Sequence, residues 1–135
     1  MIGLALLGAG RMAKVHAEAI SAAGARLVTV FDVAEAAAAS LASKAGASVA
    51  RTAEEALSHP EVTAVLVATS SDTHVKYVID AIQAGKAVMC EKPLAPTLSE
   101  ATVWTRCVST QERSLRLPRM LPTPSQPIAS AATAF

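Results

Sequence analysis

The sequence of 135 residues has few aromatic side chains, few charged ones and no long apolar run. Aromatic residues make up 3% and charged residues 17%, with a formal net charge of +1. Nucleic-acid platforms combine basic patches with stacking rings, so this composition argues against that class. The apolar stretches Met1–Gly10 and Val62–Ser71 are too short to span a bilayer. The sequence therefore predicts neither a membrane protein nor a nucleic-acid-binding one.

Cysteine is also scarce. The two cysteines, Cys90 and Cys107, form neither a disulfide framework nor the spacing of a metal site. We therefore expect no metal, reduced thiols and a cytoplasmic location.

Aliphatic residues, and alanine above all, dominate what is present. Hydrophobic residues make up 52% of the chain, and 30 residues are alanine. A chain of this length favours one domain with an aliphatic core. Short apolar runs alternate with helical patterns, and glycine follows three of the four helices (Gly24, Gly46 and Gly85). The predicted strands are Ile2–Leu7, Arg26–Phe31, Ser48–Ala50, Val62–Thr69 and Ala87–Cys90; the predicted helices are Met12–Ala23, Ala34–Ala45, Ala53–Leu57 and Asp72–Ala84.

This alternation predicts the fold class. Strands that are apolar throughout are typical of parallel sheets covered on both faces, and strand–helix alternation gives right-handed crossovers. We therefore predict an α/β fold, a doubly wound parallel sheet of the Rossmann type, over residues 1–108. Four of the seven prolines follow position 117, all six glycines precede position 86, and periodicity ends near Arg106. These changes predict an irregular, Pro-rich tail over residues 109–135.

A glycine-rich turn follows the first predicted strand. Gly8-Ala9-Gly10-Arg11-Met12-Ala13 fits G-x-G-x-x-G/A between a strand and a helix, and Asp32 ends the second strand 22 residues after Gly10. In dinucleotide-binding domains such a loop admits a pyrophosphate and the acid binds ribose hydroxyls. An acid accepts hydrogen bonds from a free 2′-hydroxyl and repels a 2′-phosphate, so NAD is favoured over NADP. The alternatives are an ordinary strand–helix connection and Asp32 as a helix cap.

Polar residues follow the fourth and fifth predicted strands. Thr69, Ser70 and His74 come after one strand, and Glu91 and Lys92 after the next. Open α/β sheets bind ligands at the carboxyl ends of their strands, and a lysine in a cleft can serve in proton transfer. Alternatively, Ser71 or Asp72 caps the following helix, His74 is a surface residue and Lys92 is a solvated charge. His16 is expected to pack along the first helix, without an evident partner.

Three segments together resemble the Gfo/Idh/MocA oxidoreductases, and within them the inositol dehydrogenases of bacteria. They are the glycine motif with His16 behind it, Ala68–His74, and Gly85–Leu94 with its Glu-Lys-Pro element. The resemblance covers residues 2–103 and implies NAD as cofactor, a cyclic polyol or sugar such as myo-inositol as substrate, and Lys92 as catalytic residue. The cofactor-binding residues so expected are Gly8, Gly10, Arg11, Met12, Asp32, Thr69, Ser70, His74, Glu91 and Lys92.

The chain departs from the family pattern after residue 103. Family members continue into a substrate domain that supplies an aspartate and a histidine, and neither can be assigned here. We therefore expect a truncated or frameshifted chain that holds the cofactor half and turns over no polyol by itself. A non-catalytic NAD-binding module is the alternative. Full-length relatives are expected to be homo-oligomers, and an unpaired strand Ala87–Cys90 is expected to make this chain associate.

Overall fold

The computed structural model describes residues 1–93, 95–100 and 102, and these form one parallel sheet flanked by helices. The predicted tail, 109–135, lies outside the described residues. Along the chain the elements are β1 (Gly3–Leu7), α1 (Arg11–Ala22), β2 (Arg26–Phe31), α2 (Glu35–Ala45), β3 (Ser48–Val49), α3 (Ala53–Ser58), β4 (Ala64–Val67), a 3-10 turn (Ser71–Thr73), α4 (His74–Gln83) and β5 (Ala87–Cys90).

The sheet has the strand order β3-β2-β1-β4-β5, with every pair parallel. The chain moves from β1 to one side of the sheet for β2 and β3, then crosses back to the other side for β4 and β5. The order therefore reverses between β1 and β4, which is where doubly wound sheets form a ligand crevice. The predicted doubly wound α/β fold is confirmed.

Small aliphatic side chains build a core on each face of the sheet. One face packs Ala5, Leu7 and Val65 with residues of α3 and α4, and the other packs Leu6 and Val30 with the buried sides of α1 and α2. Alanines fill four of the six helix positions in the second cluster, and such small side chains permit close packing of a helix on the sheet. The predicted aliphatic core is what the structure shows.

Helix ends and strand limits follow the predictions in most places. Gly24, Gly46 and Gly85 all have positive φ angles after helices, as expected for left-handed helix ends. The fourth strand, predicted as Val62–Thr69, pairs over Ala64–Val67 alone, although Val62 is also buried. The predicted start of the fourth helix at Asp72 is instead a single 3-10 turn.

Strand β5 differs from the expectation that the sheet is covered on both faces. Val88 and Cys90 are partly buried against the core, whereas Ala87 and Met89 are exposed. Within the described part of the chain, α4 covers one face of this strand, and no described strand pairs with its outer edge. Self-association through that edge stays a prediction. No helix among the described residues is long and apolar enough to cross a membrane.

Candidate functional site

The residues singled out from the sequence lie along one edge of the sheet, where β1, β2, β4 and β5 end. Backbone hydrogen bonds continue past the strands and fix these ends together: Gly8 N–H donates to Phe31 O at 2.7 Å, and Glu91 N–H donates to Val67 O at 2.9 Å. The glycine loop, Asp32 and the segments after β4 and β5 therefore lie together at the carboxyl edge of the sheet, beside the switch point where such sheets form their ligand crevice.

Gly8 makes a close backbone approach that no other residue could make. Its φ is +106°, and a Cβ built on it would lie 2.4 Å from Ala68 O and 2.9 Å from Thr69 N. The loop after β1 therefore packs directly on the backbone that leaves β4. This is the tight-turn role expected of the first glycine.

Gly10 is different, because nothing in the described chain requires a glycine there. Its backbone is extended, with φ −75° and ψ −164°, and a Cβ at this position would meet no atom within 4 Å. The absence of a side chain at Gly10 leaves open space directly before α1. Such space admits the close approach of a ligand to the backbone, as the second glycine of a dinucleotide loop does.

The start of α1 offers unpaired N–H groups to that space. Gly10, its N-cap residue, makes no side-chain cap bond, and the first turn holds no acid. Helix α3 contrasts with it, because Thr52 Oγ1 accepts from Glu55 N–H at 3.0 Å and the first turn carries two glutamates. An uncapped helix start with a partial positive charge suits an anion, and the exposed Arg11 adds to that charge.

Asp32 lies across the loop and is held by two backbone donors. Its Oδ2 accepts from Ala9 N–H and its Oδ1 from Ala34 N–H, both at 2.7 Å. The N-cap residue of α2 is Ala34, and it makes no side-chain cap bond. Asp32 therefore fixes the glycine loop and the turn before α2, and the alternative that it is the helix cap is wrong. Each carboxylate oxygen keeps further acceptor capacity for a hydroxyl group.

The segment after β4 is fixed by its own hydrogen bonds. Thr73 Oγ1 donates to Thr69 Oγ1 and also lies 2.8 Å from Ser70 O, while the Ser70 side chain is exposed. The residue before α4 is Thr73, which makes no side-chain cap bond, so capping by Ser71 or Asp72 is wrong.

His74 is the largest polar side chain in the core. It is 1% exposed, its Nδ1 lies 2.8 Å from Pro93 O, and its Nε2 lies 2.9 Å from Thr69 O. The alternative of a surface histidine is therefore wrong. That His74 contacts the cofactor stays a prediction; here both ring nitrogens face carbonyl oxygens and join the segments after β4 and β5. A neutral imidazole donates to one of these carbonyls, and an imidazolium donates to both.

Glu91 and Lys92 leave β5 at the same edge. Glu91 Oε1 contacts His16 Nε2 on α1, and Glu91 Oε2 accepts from Lys92 N–H at 3.2 Å. The Lys92 side chain is exposed, and its ammonium makes no hydrogen bond or ion pair with the described residues. His16 thus has a partner that the sequence did not indicate, since 75 residues separate it from Glu91.

The hydrogen bond from His16 lowers the pKa of the Glu91 carboxyl, and the Lys92 N–H lowers it further, although partial burial acts in the opposite direction. A carboxyl whose pKa is lower in the folded state binds fewer protons there than in the unfolded state. Its contribution to stability is therefore complete above the unfolded value of about 4.3 and is lost as the pH falls through the folded value.

We expect Glu91→Gln to destabilise the chain at pH 6 to 7 and to have a progressively smaller effect as the pH falls below about 4. Urea denaturation followed by circular dichroism at several pH values measures this difference. His16→Ala, which removes the donor, should reproduce the effect. A difference between Glu91→Gln and the wild type that is independent of pH would contradict the assignment.

Other titratable groups in the described residues do not gather into a second site. No group of three histidine, cysteine, aspartate or glutamate side chains in this part of the chain could hold a metal ion. Burial, with the neighbouring Glu91 charge, raises the pKa of the Cys90 thiol to about 11. The thiol is therefore protonated near neutral pH and a weak nucleophile.

Comparisons with known proteins agree with this geometry. The family model described as "Oxidoreductase family, NAD-binding Rossmann fold" matches residues 2–117, beyond the 2–103 covered by the motifs. An inositol 2-dehydrogenase of Rhizobium meliloti strain 1021 is 46% identical over 90 residues, which are 66% of this chain and 27% of that protein.

Two solved structures extend the comparison. GenD2 from gentamicin A biosynthesis, in complex with NAD, has a TM-score of 0.77 and 35% identity, covering 82% of this chain and 32% of that one. The WlbA dehydrogenase of Chromobacterium violaceum, with NADH and UDP-GlcNAcA, has a TM-score of 0.78 and 27% identity, covering 82% and 33%. The chain thus spans no more than about a third of the length of these relatives.

Proposed function

This chain belongs to the Gfo/Idh/MocA family of oxidoreductases, and we propose that it binds NAD in the crevice beside the glycine loop. The observation that carries the proposal is Gly10, which no internal contact requires and which opens space before the uncapped start of α1. The residues present fit a dinucleotide, because an anion site and a carboxylate lie on either side of one loop.

Each part of the cofactor, the pyrophosphate, the adenosine ribose and the nicotinamide, is assigned to its own residues in the crevice. Gly8 shapes the loop, and Gly10, Arg11 and Met12 present backbone N–H groups and a positive end of α1 to the pyrophosphate. Asp32 accepts from the adenosine ribose hydroxyls with the acceptor capacity that Ala9 and Ala34 leave. Beyond the loop, Thr69, Ser70, Glu91 and Lys92 border the nicotinamide half.

Lys92 is the proposed catalytic residue. When bound, NAD supplies the hydride acceptor for oxidation of a CH–OH group. The ammonium of Lys92 would orient the substrate hydroxyl by donating a hydrogen bond to it, and the neutral amine form of Lys92 would accept the hydroxyl proton, in the manner of a general acid–base lysine. A cyclic polyol such as myo-inositol is the proposed substrate class, supported by the similarity to an inositol 2-dehydrogenase. Because the chain spans about a third of the length of these relatives, we expect it to bind NAD without turning over myo-inositol by itself, and a turnover assay of the chain with NAD and myo-inositol measures this. Turnover would show that the chain alone carries catalysis.

Asp32 provides the direct test of cofactor binding. We expect the wild-type chain to bind NADH at least about tenfold more tightly than NADPH, because a hydrogen bond to a charged group contributes about 1.5–3 kcal/mol. Asp32→Ala should remove that preference. Titration by calorimetry or by nucleotide fluorescence measures both affinities.

Two further variants separate the ribose contact from other effects of the change. Asp32→Asn keeps one acceptor oxygen for the loop but removes the charge, so it should weaken discrimination against NADPH with less loss of stability. Glu35→Ala removes the same charge from the first turn of α2 and should leave the preference intact. Equal affinity of the wild type for the two nucleotides would overturn the assignment of Asp32.

A further inference from the structure

Glu91 connects three parts of the site, one through its backbone and two through its carboxylate. Its backbone N–H donates to Val67 O at 2.9 Å, which continues the pairing of β5 with β4. Its side chain reaches away from the sheet to His16 on α1 and folds back to accept from Lys92 N–H. Both side chains of the contact are about one-fifth exposed, so water competes only partly with it.

His16, the partner of Glu91 in this contact, lies on α1, the helix that starts at the glycine loop. His16 lies six residues after Gly10, in the second turn of α1, and α1 is a continuous helix from Arg11 to Ala22. A shift or an ordering of the helix start therefore reaches His16 through regular helical hydrogen bonds. From His16 the connection to the Lys92 backbone runs through the single side chain of Glu91.

The Lys92 side chain, in contrast, has no hydrogen-bonded anchor among the described residues, although its charge attracts the Glu91 carboxylate. Its ammonium makes no hydrogen bond or ion pair there, and the side chain is exposed. The position of Lys92 depends on its backbone, which Glu91 holds from one side and the His74–Pro93 hydrogen bond holds next to it. The His74 contact runs to Thr69, whose backbone packs on Gly8, and so reaches the glycine loop without passing through α1. Among the described residues, the His16–Glu91 contact is the side-chain link from α1 itself to the Lys92 backbone.

We propose that His16 is a positioning residue that couples cofactor binding at the glycine loop to the placement of Lys92, acting through the Glu91 carboxylate. The inference rests on the proposed function, since it assumes that the pyrophosphate binds at the start of α1. If the cofactor favours one placement of Lys92, that placement favours cofactor binding by the same free energy. Loosening the His16–Glu91 contact therefore weakens the response of Lys92 to the cofactor without removing the cofactor site.

The test uses the full chain labelled with nitrogen-15, and ADP-ribose as the probe, because it carries the pyrophosphate and lacks the nicotinamide that would shift the Lys92 signal directly. The amide signal of Ala13, in the first turn of α1, reports occupancy of the glycine loop. The Lys92 amide, which donates to Glu91, reports the proposed coupling. In the wild type we expect ADP-ribose to shift both signals. In His16→Ala we expect the Ala13 shift at saturation to persist and the Lys92 shift to fall to less than half.

Rescue and control variants exclude a general loss of structure. His16→Gln keeps an N–H donor for Glu91, so the Lys92 response should recover. Glu18→Ala removes an exposed side chain from the same helix and should leave both responses as in the wild type. If His16→Ala fails to fold by circular dichroism, Glu91→Gln takes its place, because an amide offers a single acceptor oxygen for two donors.

The outcomes separate the two proposals. A wild-type chain whose Ala13 signal does not respond to ADP-ribose overturns the proposed function, and the inference with it. A wild-type response at Ala13 with none at Lys92 overturns the coupling alone. A Lys92 response in His16→Ala equal to that of the wild type overturns the role of His16 and leaves NAD binding standing.

Discussion

Alanine at position 8 is expected to lower the free energy of unfolding by roughly 3 to 5 kcal/mol. The new Cβ would lie 2.4 Å from Ala68 O, which is a backbone atom and cannot rotate away. The φ of +106° is in addition strained for any residue with a Cβ. Thermal or urea denaturation of Gly8→Ala against the wild type measures the loss.

Gly24→Ala is the matched control for this change. Its φ is also positive, at +73°, but a Cβ there would meet nothing within 4 Å. It should therefore cost only the conformational penalty of about 1 to 2 kcal/mol. The difference between the two variants isolates the collision between the loop after β1 and the backbone after β4. Equal losses would show that these two segments are not in contact.

Alanine at position 10 is expected to do the opposite: to leave folding intact and to weaken cofactor binding. The backbone there is extended and a Cβ would meet no neighbour, so the unfolding free energy should stay within about 1 kcal/mol of the wild type. The methyl group would fill the space through which the pyrophosphate approaches. Overpacking of this kind costs about 1–3 kcal/mol, which corresponds to a loss of NADH affinity of roughly fivefold to 150-fold.

Calorimetric titration with NADH, together with a denaturation curve, measures both properties on one sample. Gly24→Ala, at the far end of α1, should bind NADH like the wild type. If Gly10→Ala binds NADH with unchanged affinity, the open space before α1 is not the pyrophosphate site, and the central observation behind the proposed function is lost.

Local patterns predicted those parts of the fold that depend on neighbours in the chain. Strands β2 and β5 have the predicted limits, and helix α3 begins at the predicted Ala53. The predicted fourth strand was too long at both ends. Apolar character reports burial, and Val62 is buried without belonging to the paired strand.

Contacts between distant residues could not be predicted in the same way. His16 and Glu91 are 75 positions apart, and only the arrangement of α1 above the end of β5 brings them together. The burial of His74 also depends on the segment after β5, since its partner Pro93 follows 19 residues later. Sequence patterns thus located the edge of the sheet that carries the site, whereas the links between its segments required the fold.

The two hydrogen bonds that Asp32 accepts have a consequence for redesign of cofactor preference. Because this carboxylate holds both the glycine loop and the turn before α2, exchanging it to admit a 2′-phosphate also removes part of the scaffold on which either nucleotide rests. Val33, the next residue, is 89% exposed, and its side chain supports no part of the core. An engineer who wants a variant that accepts NADP should therefore begin with Val33→Arg, which adds a phosphate partner, and change Asp32 afterwards to a residue that retains an acceptor oxygen.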